Sequence, residues 1–241
     1  MNRNEFNALC AIREHPGMTQ RELADSLGIS LGTANNIHRR LSTEKLIEDG
    51  RVTARGMREL KPYKVENAVI LAAGRSSRFA PISYEKPKGL LSVRGEILIE
   101  RHIRQLREAG INEIVVVVGF KKEMFFYLEE KFGVHIVVNP EYATRNNNSS
   151  LMKVRELLGN TLICTSDIYY TENPFRQYVW KSYYAVEYCE GPTNEWCVST
   201  DKTGRIVDVK VGGADSWYMT DQAYFRPHIR RQVPRYPRGG I

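Results

Sequence analysis

The chain has 241 residues, 42% hydrophobic and 26% charged, the balance of a globular protein that can bury a core. Its longest uninterrupted aliphatic run, Ile114 to Val118, is far short of the roughly 20 residues a membrane span requires, and its N-terminus shows no signal-peptide pattern. The formal charge of +7 sits mostly in a tail, because Gln222 to Ile241 holds five arginines and no acid; the +2 left on the rest weakens any general nucleic-acid reading.

Residues 4 to 15 place Phe6, Leu9, Cys10 and Ile12 at helical spacing, and Pro16-Gly17 ends the run. Thr19 with Glu22 forms a capping box for a second helix. Gly28-Ile29-Ser30 turns the chain into a third helix, from about Leu31 to Glu44, with Asn35, Asn36, Arg39 and Arg40 on outer positions. Leu46 to Thr53 reads as a hairpin turned at Asp49-Gly50, and Thr53 to Leu60 as a closing helix. In pattern and order, residues 1 to 62 resemble the MarR-like winged-helix domains. That resemblance implies DNA contact, with Asn35 and Asn36 at base edges and Arg39, Arg40 and Arg51 at phosphates. Winged helices also serve as dimerisation or protein-contact modules, and that alternative stays open. The polar stretch from Lys61 to Asn67, with Pro62, marks a boundary.

Ala68 to Ala73 reads as a buried strand broken at Gly74. A polyphosphate needs backbone N–H groups turned toward it and cations within reach. The loop after the strand can supply the first through Gly74, Ser76 and Ser77, and the second through Arg78 and Lys88. Neither the P-loop nor the dinucleotide spelling occurs. A hairpin at Leu90 to Ile97 follows, then helices at about Leu98 to Ala109 and Lys121 to Lys131, alternating with strands at Ile114 to Val118 and Val134 to Val138. This alternation implies a mostly parallel sheet with ligands at the carboxyl ends of its strands. The polar run from Asn139 leads to a helix starting at Leu151. Thr161 to Ile168 is an apolar strand ending in Asp167, an acid placed to hold a magnesium ion. Gln177 to Asp215 reads as an antiparallel excursion rich in aromatic residues. Cys10, Cys164, Cys189 and Cys197 form no Cys-x-x-Cys pair and suit a reducing cytoplasm.

Leu71-Ala-Ala-Gly-Arg-Ser-Ser-Arg78, followed by Pro87-Lys-Gly-Leu-Leu91, resembles the nucleotidyltransferase signature Leu-Ala-Ala-Gly-x-Gly-Ser/Thr-Arg with its later Pro-Lys. Within that family it is similar to the lic-type CTP:phosphocholine cytidylyltransferases over residues 67 to about 225. One departure is Ser76, where the family has a second glycine. The resemblance implies an α/β, Rossmann-like nucleotidyltransferase domain after the winged helix, transferring CMP from CTP to phosphocholine with Mg2+. Leu71, Ala73, Gly74, Ser76, Ser77, Arg78, Lys88, Asn146 and Ser150 would meet the nucleotide, with Arg78 and Lys88 catalytic and Asp167 on the metal. Asn194-Glu195-Trp196 matches a similar lic-type run, and Glu195, Trp196 and Trp217 have the chemistry for a quaternary ammonium. The partners expected are CTP, phosphocholine, DNA at residues 1 to 62 and a second copy of the chain, with no membrane.

The resemblance stops near residue 225, where family members continue with helices and a second acid for the metal site. Arg226 to Ile241 holds three prolines and no acid, an irregular basic tail. The expectation is a truncated or frame-shifted end that lacks a metal ligand and impairs activity. Two other readings remain: a regulator that senses a nucleotide or phosphocholine, and an enzyme for another alcohol phosphate or phosphonate.

Overall fold

Asn2 and Thr19 begin the first two helices in the same way. Each side chain accepts the backbone N–H three residues on, and the glutamate there reaches back to the cap; Thr19 N to Glu22 Oε2 is 2.7 Å. The helices are α1 (Arg3–Glu14) and α2 (Gln20–Leu27). Gly28 ends α2 at φ 62°, a conformation that favours glycine, and Ser30 caps α3 (Leu31–Thr43). Strands β1 (Ile47–Glu48) and β2 (Arg51–Val52) form the wing, turned by Asp49 and Gly50 at φ 46° and 69°, before α4 (Ala54–Leu60).

The computed structural model describes residues 1–75, 81–144 and 147–227 and divides into two units. The first is Met1–Lys64 together with Tyr178–Trp180, a short segment that the sequence assigns to the larger domain. Trp180 stacks on Tyr63 at 4.9 Å between ring centroids and packs on Phe6 at 5.3 Å, while Val179 N donates to Tyr63 O at 2.8 Å. These rings extend a core of Phe6, Leu9, Leu23, Ile37, Leu41 and Leu60.

The second unit is a six-stranded sheet. After β3 (Asn67–Ala72) come a short α5 (Ile82–Glu85), the hairpin β4 (Ser92–Val93) and β5 (Glu96–Ile97), and α6 (Leu98–Glu108). Then follow β6 (Ile114–Val118), α7 (Tyr127–Phe132), β7 (His135–Val138), α8 (Asn147–Lys153), β8 (Thr161–Thr165), β9 (Tyr183–Thr200) and β10 (Ile206–Phe225). The order across the sheet is β7-β6-β3-β8-β10-β9; β7, β6, β3 and β8 run parallel, and β10 pairs antiparallel with β8 and β9. The inner strand β6 is aliphatic throughout and buried along its length, as a strand covered on both faces is. Val69, Val115, Val117 and Ile163 pack with Val154 and Leu158 on one face, and α6 buries Leu98, Ile99, Ile103 and Leu106. No helix is long and apolar enough to cross a membrane among the described residues.

Two elements differ from the sequence expectation. The helix expected over Lys121 to Lys131 is a 3-10 turn at Lys122–Phe125 followed by α7, because Lys121 takes φ 48° and its ammonium donates to Tyr84 O and Glu85 O at 2.6 and 2.9 Å. The helix expected from Leu151 begins at Asn147, inside the polar run, and ends before the 3-10 turn Arg155–Leu157.

Candidate active site

Strands β3, β6 and β7 are laid down in one direction across the sheet, and β8 then returns to the other side of β3. The order of the parallel strands thus reverses between β3 and β8, which opens a crevice at their carboxyl ends. Both segments singled out in the sequence end there. Ser166 N donates to Leu71 O at 3.1 Å, which continues the ladder and sets Asp167 beside the loop leaving Ala73.

Leu71 is half-buried against the core, and Ala73 is buried, its carbonyl accepting Phe120 N at 3.1 Å. Gly74 is exposed, and a Cβ there would meet nothing within 4 Å. Internal packing does not demand this glycine; it leaves open space at the strand end. Beside it the Arg75 guanidinium lies 5.7 Å from the Tyr142 ring centre, a cation at the crevice that the sequence analysis passed over. Ser76, Ser77, Arg78 and Asn146 lie outside the described residues, as does the tail from residue 228.

Lys88 opens a 3-10 turn after Pro87, and its Nζ donates to Asp167 Oδ2 at 3.3 Å. Gly89 makes this approach possible. A Cβ there would lie 2.6 Å from Ser166 Oγ and 2.7 Å from its Cβ, so only a glycine lets the turn lie on the end of β8. The loop after Asp167 is gripped by α6. His102 Nε2 donates to Ile168 O at 2.6 Å, Arg101 to the carbonyls of Tyr170 and Thr171 at 3.0 and 3.1 Å, and Gln105 to Tyr170 O at 3.3 Å. Burial pushes the His102 imidazole below its usual 6.5, which keeps the ring neutral. Sequence periodicity reads His102 only as one position of a helix.

At the end of β7 the buried Asn139 donates to Ser149 Oγ and Ser150 Oγ at 2.9 and 3.0 Å, and its own oxygen accepts Glu141 N at 3.0 Å. Ser150, expected to meet the nucleotide, is buried with its hydroxyl turned to Asn139. It supports the loop beneath the crevice.

The aromatic excursion is the long β9–β10 hairpin. Tyr218 pairs with both Glu187 and Cys197, so the distal part of the hairpin doubles back beside its base. Trp196 pairs with Val211 and Trp217 with Tyr188, and the register of the hairpin shifts between Trp217 and Tyr218. The two tryptophans remain 56% and 52% exposed, with Trp217 edge-on to Tyr188 at 5.3 Å. Glu195 lies next to Trp196, and its charge reaches Tyr218 and Asp221. Asp221, an acid in the otherwise apolar end of β10, is a residue the sequence analysis missed. Partial desolvation and then the charges of Asp167 and Glu195 hold its carboxyl above the usual carboxylate range, with Lys88 pulling it back. Among the described residues no group of three or more His, Cys, Asp and Glu side chains is set to hold a metal ion.

In the first unit Asn35, Asn36 and Arg39 stand on the exposed side of α3, Arg39 donating to Asn36 Oδ1 at 2.7 Å, and Arg51 is exposed on the wing. Arg40 is exposed too, but its guanidinium is paired with Glu5 at 2.6 Å and Glu44 at 2.9 Å.

Residues 68–205 match the MobA-like NTP transferase domain family, and residues 1–53 match a winged helix-turn-helix DNA-binding family. The chain is 42% identical over 144 residues to a choline-phosphate cytidylyltransferase of Streptococcus pneumoniae, covering 60% of this chain and 63% of that protein. It is 38% identical over 174 residues to a 2-aminoethylphosphonate cytidylyltransferase of Lancefieldella rimae, covering 70% and 71%. The solved structure of the CTP:phosphocholine cytidylyltransferase from Streptococcus pneumoniae superposes with a TM-score of 0.66 at 36% identity, over 69% of this chain and 73% of that one. A UDP-glucose pyrophosphorylase superposes at 0.53 with 15% identity and shares the fold alone.

Proposed function

The chain belongs to the MobA-like NTP transferase family, and on that premise we propose that it is a cytidylyltransferase that moves CMP from CTP to phosphocholine. The observation that carries this is the contact of Lys88 with Asp167 at 3.3 Å, at the strand-order reversal where the Gly74 loop also ends. An oxygen of the acceptor phosphate attacks the α-phosphorus of CTP; the bond from that phosphorus to the bridging oxygen of the β-phosphate breaks, and pyrophosphate leaves with the electron pair. The protein positions the two phosphates and neutralises charge as it spreads over them. Lys88 supplies a cation beside the α-phosphate, and the loop after Ala73, with Arg78, holds the triphosphate.

The donor set fits a hard divalent cation, because Asp167 presents carboxylate oxygens at the open end of β8. Bound there, Mg2+ would polarise phosphate oxygens and offset their charge. Trp196 and Trp217 present aromatic faces, with Glu195 adding negative charge nearby, which suits an ammonium group that cannot donate a hydrogen bond.

A second reading keeps the chemistry and changes the acceptor to 2-aminoethylphosphonate. It is favoured by the likeness to the Lancefieldella rimae enzyme, which extends over more of that relative's length than the match to the phosphocholine enzyme does, 71% against 63%. The exposed Asn35, Asn36 and Arg39 on α3, with Arg51 on the wing, support DNA contact by the first unit. Pyrophosphate release from CTP and Mg2+, with each acceptor in turn, tests the assignment. Release with phosphocholine is expected; release with 2-aminoethylphosphonate alone selects the second reading, and release with neither rejects both.

A further inference from the structure

We propose that Lys121 is a positioning residue for Lys88, acting through the two carbonyls at the end of α5. The inference rests on the role given to Lys88 above. Lys121 follows Gly119 and Phe120 at the end of β6, and that turn is locked onto β3. A Cβ on Gly119 would meet Tyr142 Cβ at 2.6 Å and Ala73 O at 2.8 Å, and Phe120 N donates to Ala73 O at 3.1 Å. Lys121 then takes φ 48° and ψ 42°, a left-handed backbone that residues with a side chain rarely adopt. From there its Nζ donates to Tyr84 O at 2.6 Å and Glu85 O at 2.9 Å. These are the last carbonyls of α5, four and three residues before Lys88.

Apolar burial does little to hold α5. It has four residues, far short of the ~12–15 that an isolated helix needs, and Ile82 and Tyr84 are 52% and 68% exposed. Cations are favoured at a helix C-terminus, where carbonyls lack partners, and a bond from an ammonium is stronger than a neutral one. Lys121 therefore ties the end of α5 to the end of β6. Between that tie and Lys88 the chain has only Lys86 and the buried Pro87, whose ring fixes φ at −56°. On the other side Gly89 lies against Ser166. Lys88 is thus fastened from both sides, to β8 after it and, through Lys121, to β6 before it, which holds its Nζ at 3.3 Å from Asp167. Without the ammonium the segment before Lys88 loses its charged anchor, and a shift of about 1 Å at a group that acts on phosphate costs catalysis rather than fold.

Pyrophosphate release from CTP and Mg2+, with the acceptor that supports it, is measured in the full chain and in its Lys88→Ala variant. Lys121→Met keeps the apolar stem of the side chain and removes its ammonium. It should lower kcat at least ~10-fold in the parent and less than about twofold in the Lys88→Ala background, because the two residues act as one unit. A loss of folded protein, or damage elsewhere in the crevice, would instead cost the same factor in both backgrounds. Lys121→Arg, which keeps a donor for each carbonyl, should recover most of the lost turnover. Circular dichroism checks that each variant is folded, and Lys121→Gln, whose shorter amide carries no charge, takes the place of Lys121→Met if that variant does not fold. Parent-like kcat in Lys121→Met, the same loss in both backgrounds, or no recovery in Lys121→Arg overturns this inference alone, provided Lys88→Ala is impaired. A parent chain that releases no pyrophosphate, or a Lys88→Ala variant as fast as the parent, overturns the role of Lys88 with it.

Discussion

Lys88 Nζ and Asp167 Oδ2 stand 3.3 Å apart with side chains 30% and 33% exposed. A pair this accessible contributes at most about 1 kcal/mol to stability, so its place at the crevice is better explained by ligand than by fold. Lys88→Ala should lower kcat/KM for CTP by about 10²–10³ and leave the thermal midpoint almost unmoved; steady-state kinetics beside a melting curve separate the two. Gly89→Ala acts differently, because its new Cβ meets Ser166 at 2.6 Å. It should cost about 1–3 kcal/mol by overpacking, read in a urea melt, and should lower turnover as Lys88 is pushed from Asp167. The buried His102 adds a pH dependence. Its folded imidazole titrates below 6.5 while the unfolded one titrates near that value, so the folded state binds fewer protons in the interval between. Stability is therefore full above about pH 6.5 and falls as pH drops below it. Melting temperatures across that range should decline, and the decline should shrink in His102→Gln. At this scale Asp167 was legible because an apolar run stops at it, and Lys88 because it is a cation on the loop after Gly74, in a Pro-Lys pair that the resembled signature also carries. Gly89, His102 and Asp221 were not, since each matters only through a neighbour distant in sequence.

The elements of the sheet could be read from aliphatic runs, because a strand covered on both faces needs no polar positions. The start of α8 could not. Asn147 and Asn148 look like loop, yet the buried Asn139 supplies partners for Ser149 and Ser150 and lets the helix begin in a polar run. Trp180 is the clearest case. It reads as one more aromatic of the excursion, but it stacks on Tyr63 and belongs with the winged helix. Trp180→Ala should destabilise the first unit by about 2–3 kcal/mol, below the ~3–5 kcal/mol for losing a fully buried aromatic, since its ring is only partly buried. Hydrogen exchange at the amides of α1 is the measurement, with faster exchange expected there and unchanged exchange in β3 and β6. Residues 1–64 expressed alone lack this ring and should show the same loosening.

At the scale of the whole molecule, a winged helix and a nucleotidyltransferase unit share one chain, and the order of both units was legible from capping residues, turns and alternation. For DNA contact the charges divide by their partners. Arg39→Ala and Arg51→Ala should each reduce the slope of log affinity against log salt by about 0.9, the value for one phosphate contact. Arg40→Ala should change it little, because Glu5 and Glu44 already hold that guanidinium at 2.6 and 2.9 Å. The central claim concerns the larger unit: the crevice between β3 and β8 takes a cytidine triphosphate, with Lys88 and Asp167 at its phosphates. Calorimetric titration of CTP with Mg2+ into the full chain tests it most directly. The account predicts saturable binding that weakens at least ~10-fold, about 1.4 kcal/mol, in Lys88→Ala and is unchanged in Arg39→Ala. No heat of binding in the parent chain, or equal affinity in Lys88→Ala, would contradict it.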